Sequence, residues 1–216
     1  MSKFIVFEGI DGSGKGSALK VVAKHYPDCI LTREPGGTPL AEALREVLLS
    51  PVGSTMSPEQ QMDVFFGARR IHLLDKVYPA LTSGLSVASD RFEPSTYAYQ
   101  KVLKSFTKDE DVFNYDLMEK FFDLRERVMT TLPDAYFFLD VDPEEGMRRR
   151  ASDRNQESNH FDLAGIQEQE RRRRSYQIFF SQVASSETKC ITIDANEPIH
   201  IVSQNVLREI SAIFNS

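Results

Sequence analysis

The chain has 216 residues, 41% of them hydrophobic and 27% charged, which is close to an average soluble protein and long enough to bury a substantial core. A formal net charge of −6 speaks against a general nucleic-acid-binding surface, and no run of about 18 apolar residues is available to cross a membrane. The two cysteines, Cys29 and Cys190, sit in short apolar runs whose spacing suits neither a disulfide nor zinc; both are expected as buried free thiols in a reducing cytoplasm.

Met1-Ser2-Lys3 leads at once into the β-prone run Phe4–Glu8, so no signal peptide is expected. A glycine-rich turn follows, Gly9-Ile10-Asp11-Gly12-Ser13-Gly14-Lys15-Gly16-Ser17, and a helical pattern covers Lys15–His25. Strand, glycine-rich turn and lysine-opened helix together predict a phosphate-binding P-loop. In such a loop backbone N–H groups converge on phosphate oxygens, the helix N-terminus adds a favourable partial charge, and glycine lets the backbone approach without a Cβ. Lys15 is expected on the β- and γ-phosphates. The general pattern puts a hydroxyl directly after the lysine; here that residue is Gly16, and Ser17 comes one later. Either Ser17 reaches the metal or the phosphates from a shifted position, or water replaces it around Mg²⁺, which commonly keeps several waters.

Further strands are predicted at Cys29–Thr32, Ser86–Ser89, Ala135–Val141 and Lys189–Ile193. Helices are predicted at Pro39–Leu49, Pro58–Thr82, Ser95–Leu103, Asp111–Thr131, Pro143–Ser152, Leu163–Ser185 and Pro198–Phe214. The strand runs are continuously apolar, as in strands covered on both faces, and their alternation with helices predicts a doubly wound parallel sheet in a single domain. Ligands of such sheets bind beyond the carboxyl ends of the strands. That singles out the P-loop, Arg33-Glu34-Pro35-Gly36-Gly37, Asp90-Arg91, Asp142 and Asp194-Ala195-Asn196. Asp90 is placed to hold a Mg²⁺ shell and Arg91 to bridge donor and acceptor phosphates through its planar fork, unless the two only close a surface loop as an ion pair. Basic residues concentrate at Arg148-Arg149-Arg150 with Arg154 and at Arg171 to Arg174, and the polar stretch from Arg148 to Asp162 reads as a mobile loop between two helices.

Three blocks occur in fixed order: Phe7-Glu8-Gly9-Ile10-Asp11-Gly12-Ser13-Gly14-Lys15; Thr32-Arg33-Glu34-Pro35-Gly36-Gly37-Thr38; and Asp90-Arg91-Phe92 followed by Ser95-Thr96 and Ala98-Tyr99-Gln100. With Phe65-Phe66-Gly67-Ala68-Arg69-Arg70 and Phe138-Leu139-Asp140-Val141-Asp142-Pro143-Glu144, they resemble thymidylate kinases of the bacterial kind along essentially the whole chain. The resemblance implies a three-layer α/β P-loop kinase fold, a five-stranded parallel sheet flanked by helices, and a mobile lid at about 148–162. It implies transfer of the ATP γ-phosphoryl group to dTMP, giving dTDP in dTTP biosynthesis, with Mg²⁺, in a cytoplasmic homodimer.

On that resemblance Phe66 would stack on thymine and Arg70 would donate to a thymine carbonyl. Thr96 and Gln100 would contact the base edge, and Tyr99 would pack on the sugar. Asp11 would accept from the 3′-hydroxyl, Arg45 and Arg91 would grip the dTMP phosphate, and Glu34 would lie near the metal and that phosphate. Gly9 to Ser17 would cradle ATP with Ala195 and Asn196, Ser17 and Asp90 would face the metal, and Lys15, Asp90, Arg91 and the lid residues Arg149 and Arg154 would carry catalysis. An arginine from the lid is called for because the P-loop, Asp11-Gly12-Ser13, has none.

The chain departs from the family pattern in three places. No glycine-rich stretch follows Gln100, and Asn159-His160-Phe161-Asp162 stands where the lid usually reads Asp-Arg, then Phe, Ile or Tyr, then Glu, so an arginine is missing there. Arg69 stands where an acid is common. A kinase for another nucleoside monophosphate and a non-catalytic nucleotide-binding module are the alternatives.

Overall fold

A computed structural model describes residues 1–107, 109–152, 161, 165–183 and 188–215. In chain order the elements begin with β1 (Phe4–Glu8), α1 (Lys15–His25), β2 (Ile30–Arg33), α2 (Pro39–Leu49), the single turn α3 (Pro51–Ser54) and α4 (Pro58–His72). A π-helical turn, Leu73–Val77, carries α4 into α5 (Tyr78–Thr82). There follow β3 (Val87–Asp90), α6 (Glu93–Tyr99), β4 (Leu103–Phe106), β5 (Asp111–Phe113), α7 (Tyr115–Val128), β6 (Ala135–Asp140) and α8 (Pro143–Ser152). The last elements are α9 (Ile166–Ile178) with a π-helical turn at Phe179–Val183, β7 (Lys189–Asp194) and α10 (Ile199–Phe214).

Five strands form one sheet in the order β2-β3-β1-β6-β7, every neighbouring pair parallel. β1 is central and buried along its whole length. Its alternate side chains leave on opposite faces, as a pleated strand requires. Ile5 and Phe7 enter a core with Val22, Phe137, Val206 and Ile210; Phe4 and Val6 enter another with Met62, Phe66, Phe121 and Phe179. Local chemistry starts the covering helices. Thr38 Oγ1 accepts from the Ala41 N–H with Pro39 in the first turn of α2, and Ser57 and Gln60 form a reciprocal capping box on α4.

Four expected elements differ. The helix expected over Pro58–Thr82 changes to π geometry after His72. The helix expected from Ser95 to Leu103 begins at Glu93 and stops at Tyr99, with Lys101 in the left-handed region (φ 58°). The one expected from Asp111 begins at Tyr115, because Asp111–Phe113 pairs with Leu103–Phe106 in an antiparallel ribbon. The one expected over Leu163–Ser185 starts at Ile166 and ends in the π turn. Cys29 is buried as expected, whereas Cys190 on the edge strand β7 is exposed.

Because β1 is central, the carboxyl ends of the strands open in two directions around the P-loop. Glu34, Asp90 and Arg91 follow β2 and β3 on one side. Asp142, α8 and Asn196 follow β6 and β7 on the other.

Candidate active site

A cavity of about 900 Å³ opens at this end of the sheet. Its floor is the P-loop: Asp11, Gly12, Gly14, Lys15, Gly16 and Ser17 line it. Gly14 caps α1 in the left-handed region (φ 94°), and a Cβ on Gly12 would overlap the Gly146 carbonyl of α8. Gly9 and Ser13 lie behind this floor and support it. Lys15 Nζ donates to the carbonyls of Gly9 and Ile10 (3.0 Å each), with Ser13 Oγ at 3.4 Å. Burial, helped by the neighbouring Arg91 cation, pulls the Lys15 pKa down to about 8.

Arg91 stands where β3 hands over to α6, with a left-handed backbone (φ 70°) rare for a side chain of its size. It donates to Asp11 Oδ1 (2.7 Å), the Tyr99 and Tyr176 hydroxyls (3.1 Å each), Ser95 Oγ and the Gly9 carbonyl. Burial opposes the charge on Asp11, yet the cations Arg91, Lys15, Arg172 and Arg150 hold its pKa below the usual carboxylate value. Beneath them, Glu8 is wholly buried and accepts from the Phe92 N–H (2.6 Å) and the Ser95 hydroxyl (2.7 Å). Burial raises its pKa to about 7, with Arg91 pulling the other way. Asp90 lines the cavity, and its Oδ1 is buried without a hydrogen-bond partner.

On the β2–β3 side, Arg45 lines the cavity and donates to the Pro35 carbonyl (3.0 Å), beside the cis Glu34–Pro35 bond. Phe65, Arg69, Phe92, Thr96, Tyr99, Gln100 and Phe161 complete this wall. Arg69 is 2% exposed and donates from Nε to Glu34 Oε2 (2.8 Å) and from Nη2 to Thr96 Oγ1 (3.0 Å). Its Nη1 and Gln100 Oε1 are buried polar atoms without a partner.

This geometry corrects the expected base-side residues by one position. Phe66 does not line the cavity; it packs edge-on against Phe121 in the core. Arg70 is exposed and outside the cavity wall. The residues facing the cavity are Phe65 and Arg69, because neighbours on a helix point about 100° apart. Glu34 lines the cavity as well, and both its oxygens are engaged, by Arg69 and by His72 Nδ1 (2.8 Å).

On the β6–β7 side, Arg148, Arg149 and Arg150 end α8, and Asn196, Glu197, Pro198 and Ile199 lie opposite. Arg149 donates to Glu145 (2.6 Å) and to the carbonyls of Ala195 (2.7 Å) and Asn196 (3.4 Å). Ala195 itself is fully buried and offers the cavity wall its carbonyl bond to Arg149, not its side chain. The expected lid begins as helix, since residues 148–152 belong to α8. Arg154 lies outside the described residues. Phe161 meets the rings of Phe65 (6.3 Å) and Tyr99 (5.9 Å).

The arginine run of α9 sends each side chain to a different place. Arg171 donates to the carbonyls of Ala98 and Leu103, and Arg172 to that of Phe161 while lying over the Tyr99 ring (4.1 Å). Arg173 reaches Asp140 and Asp142, and Arg174 reaches Asp111.

Residues 7–206 match the family model described as thymidylate kinase. A thymidylate kinase of Oceanobacillus iheyensis is 32% identical, over 98% of this chain and 91% of its own. Those of Ligilactobacillus salivarius (34%; 95% of each chain) and Pseudomonas fluorescens (35%; 94% of this chain, 92% of its own) are similarly close. The chain belongs to the thymidylate kinase family. As a thymidylate kinase family member it is an enzyme with the mixed α/β fold and five-stranded parallel sheet described above. No helix among the described residues is long and apolar enough to cross a membrane.

Proposed function

We infer that this chain transfers the γ-phosphoryl group of ATP to dTMP. An acceptor phosphate oxygen attacks the γ-phosphorus, the bond to the β,γ-bridging oxygen breaks, and dTDP and ADP leave. The observation that carries the base assignment is the pair of unpartnered buried atoms. Thymine offers a carbonyl oxygen beside a ring N–H. Arg69 Nη1 is a donor and Gln100 Oε1 an acceptor, both on residues of the cavity wall. Cytosine would present the reverse pattern and leave both atoms unsatisfied, which costs discrimination energy. Phe65 supplies a flat apolar face for the ring.

The attacking oxygen is already anionic, so no general base is required, and catalysis rests on positioning and charge. Arg45 and Arg91 are suited to the acceptor phosphate, the P-loop N–H groups and Lys15 to the donor phosphates, and Arg149 to the transferring group. Phosphate anions beside Lys15 would favour its charged form, offsetting the burial that lowers its pKa to about 8.

Asp90, with its unpartnered oxygen, and Ser17 fit a hydrated Mg²⁺. Such an ion would be carried mainly by the phosphates and water. Mg²⁺ would neutralise charge on the donor phosphates. A lid that includes the arginine end of α8, a homodimer and a cytoplasmic location complete the reading.

The test is ADP release with ATP, Mg²⁺ and each of dTMP, dUMP, dCMP, UMP, CMP, AMP and GMP. Turnover on dTMP, with weaker dUMP at most, is expected. Preference for another monophosphate would overturn the base assignment. Nucleotide binding without turnover on any of them would make the chain a silent module.

A further inference from the structure

We propose that His72 is a positioning residue for base selection, acting through Glu34 on Arg69; this rests on the reading of Arg69 as a base-side donor. Gln61, Phe65, Arg69 and His72 follow one another along one face of α4, and the first three border the base-side wall directly or through Gln100. His72 is completely buried. Its Nδ1 lies 2.8 Å from Glu34 Oε1 and its Nε2 lies 2.8 Å from Thr32 Oγ1. The ring therefore braces the loop after β2 against β2 itself. Gly37, at φ 86°, packs against the same ring; a Cβ there would overlap Thr32 Oγ1 and lie 2.8 Å from His72 Cδ2.

The chemistry fixes the proton. A carboxylate oxygen accepts, so Nδ1–H donates to Glu34, and Nε2 meets the Thr32 hydroxyl, which can serve as donor or acceptor. Glu34, held at one oxygen by His72, uses the other to hold Arg69 Nε. Arg69 has Thr96 as its other hydrogen-bond partner, and its guanidinium lies over Phe66 and Phe92 (4.7 and 5.1 Å), faces that supply attraction but little direction. The direction of Nη1 is thus set by Thr96 together with the chain from Thr32 through His72 and Glu34. Such a chain matters because a reading donor must be held within about 0.5 Å of its productive place.

The experiment is steady-state kinetics of His72→Phe, His72→Asn and Thr32→Val on dTMP and dCMP, with ATP varied separately. His72→Phe keeps a ring without hydrogen bonds. It is expected to raise the dTMP KM about tenfold and to narrow the dTMP-over-dCMP ratio of kcat/KM by a similar factor, the worth of one buried hydrogen bond. Its kcat and ATP KM should stay within about twofold. His72→Asn, whose amide N–H replaces Nδ1–H, should recover most of the loss, and Thr32→Val should shift the same quantities about threefold. Arg69→Met combined with His72→Phe should be no worse than Arg69→Met alone. An unchanged dTMP KM in His72→Phe, equal losses in kcat and in both KM values, no recovery in His72→Asn, or additive effects with Arg69→Met would each overturn the proposal. If His72→Phe does not fold, an unshifted dTMP KM in both His72→Asn and Thr32→Val relative to an Arg69→Met loss overturns it at Thr32, and a shifted one in Thr32→Val alone supports it. A wild-type enzyme inactive on dTMP would instead overturn the thymidylate kinase reading on which it rests.

Discussion

The side of the cavity proposed for the phosphates is floored by a glycine-rich loop between β1 and α1; the side proposed for the base is walled by side chains from α4 and α6. A loop of glycines leaves its trace in the sequence as the glycines themselves. A helix wall leaves only a rotation to be chosen, and two adjacent doublets, Phe65-Phe66 and Arg69-Arg70, offer two rotations with the same i, i+4 spacing. The difference teaches that a motif specifies backbone geometry more sharply than it specifies which of two neighbours faces a ligand.

The largest effect expected is on the phosphate side. Lys15→Ala should lower turnover about 10³-fold, as loss of a preorganised charge does, while calorimetric dTMP affinity stays nearly intact; a parallel collapse of dTMP binding would merge the two sides. Next comes the arginine pair. Arg69→Ala should weaken dTMP binding about 100-fold and also destabilise the fold, since Glu34 is left as an uncompensated buried charge. Arg70→Ala should leave the dTMP dissociation constant within about twofold, as an exposed change does; equal effects would restore the rotation read from the sequence. The phenylalanines divide differently. Phe66→Ala should cost about 3–5 kcal/mol of stability in denaturant titration, whereas Phe65→Ala should raise the dTMP KM about tenfold with a small change in melting temperature.

The smallest effect concerns pH. The folded-state pKa of Glu8, about 7, lies above its ordinary 4.5. The native protein thus holds a proton there that the unfolded chain has released. This contribution favours folding at low pH and fades as pH rises from about 4.5 to about 7. Glu8→Gln, measured by denaturation across that window, should remove this downward component; an unchanged slope would show that Glu8 stays ionised beside Arg91.

Much of the architecture was legible in the chain. Phe4–Glu8, Lys15–His25 and Pro39–Leu49 appear with the boundaries expected, because continuous apolar runs and capping residues act locally. The β4–β5 ribbon was hidden since Asp111–Phe113 also fits the start of a helix, and its pairing with Leu103–Phe106 is a tertiary event. The rotation of α4 was recoverable. Met62, Phe66, Leu73 and Val77 form an apolar stripe, and all four enter the core. Gln61, Phe65, Arg69 and His72 form a second stripe with three polar members, a pattern that core packing alone does not explain. The pairing of Glu34 with Arg69 and His72 joins residues 35 and 38 positions apart and left no local trace.

Four arginines in succession, Arg171 to Arg174, place like charges side by side along the chain. On α9 they point about 100° apart and end on four unlike neighbours: α6 with β4, Phe161, the end of β6, and β5. Rotation about its own axis, the easiest motion for a packed helix, would break bonds whichever way it turned. A displacement reaching α9 is therefore felt at the ribbon, at the carboxyl end of α6 and at the end of β6. The strand end that leads into the arginine-bearing α8 and the helix proposed to read the base are yoked to one lever.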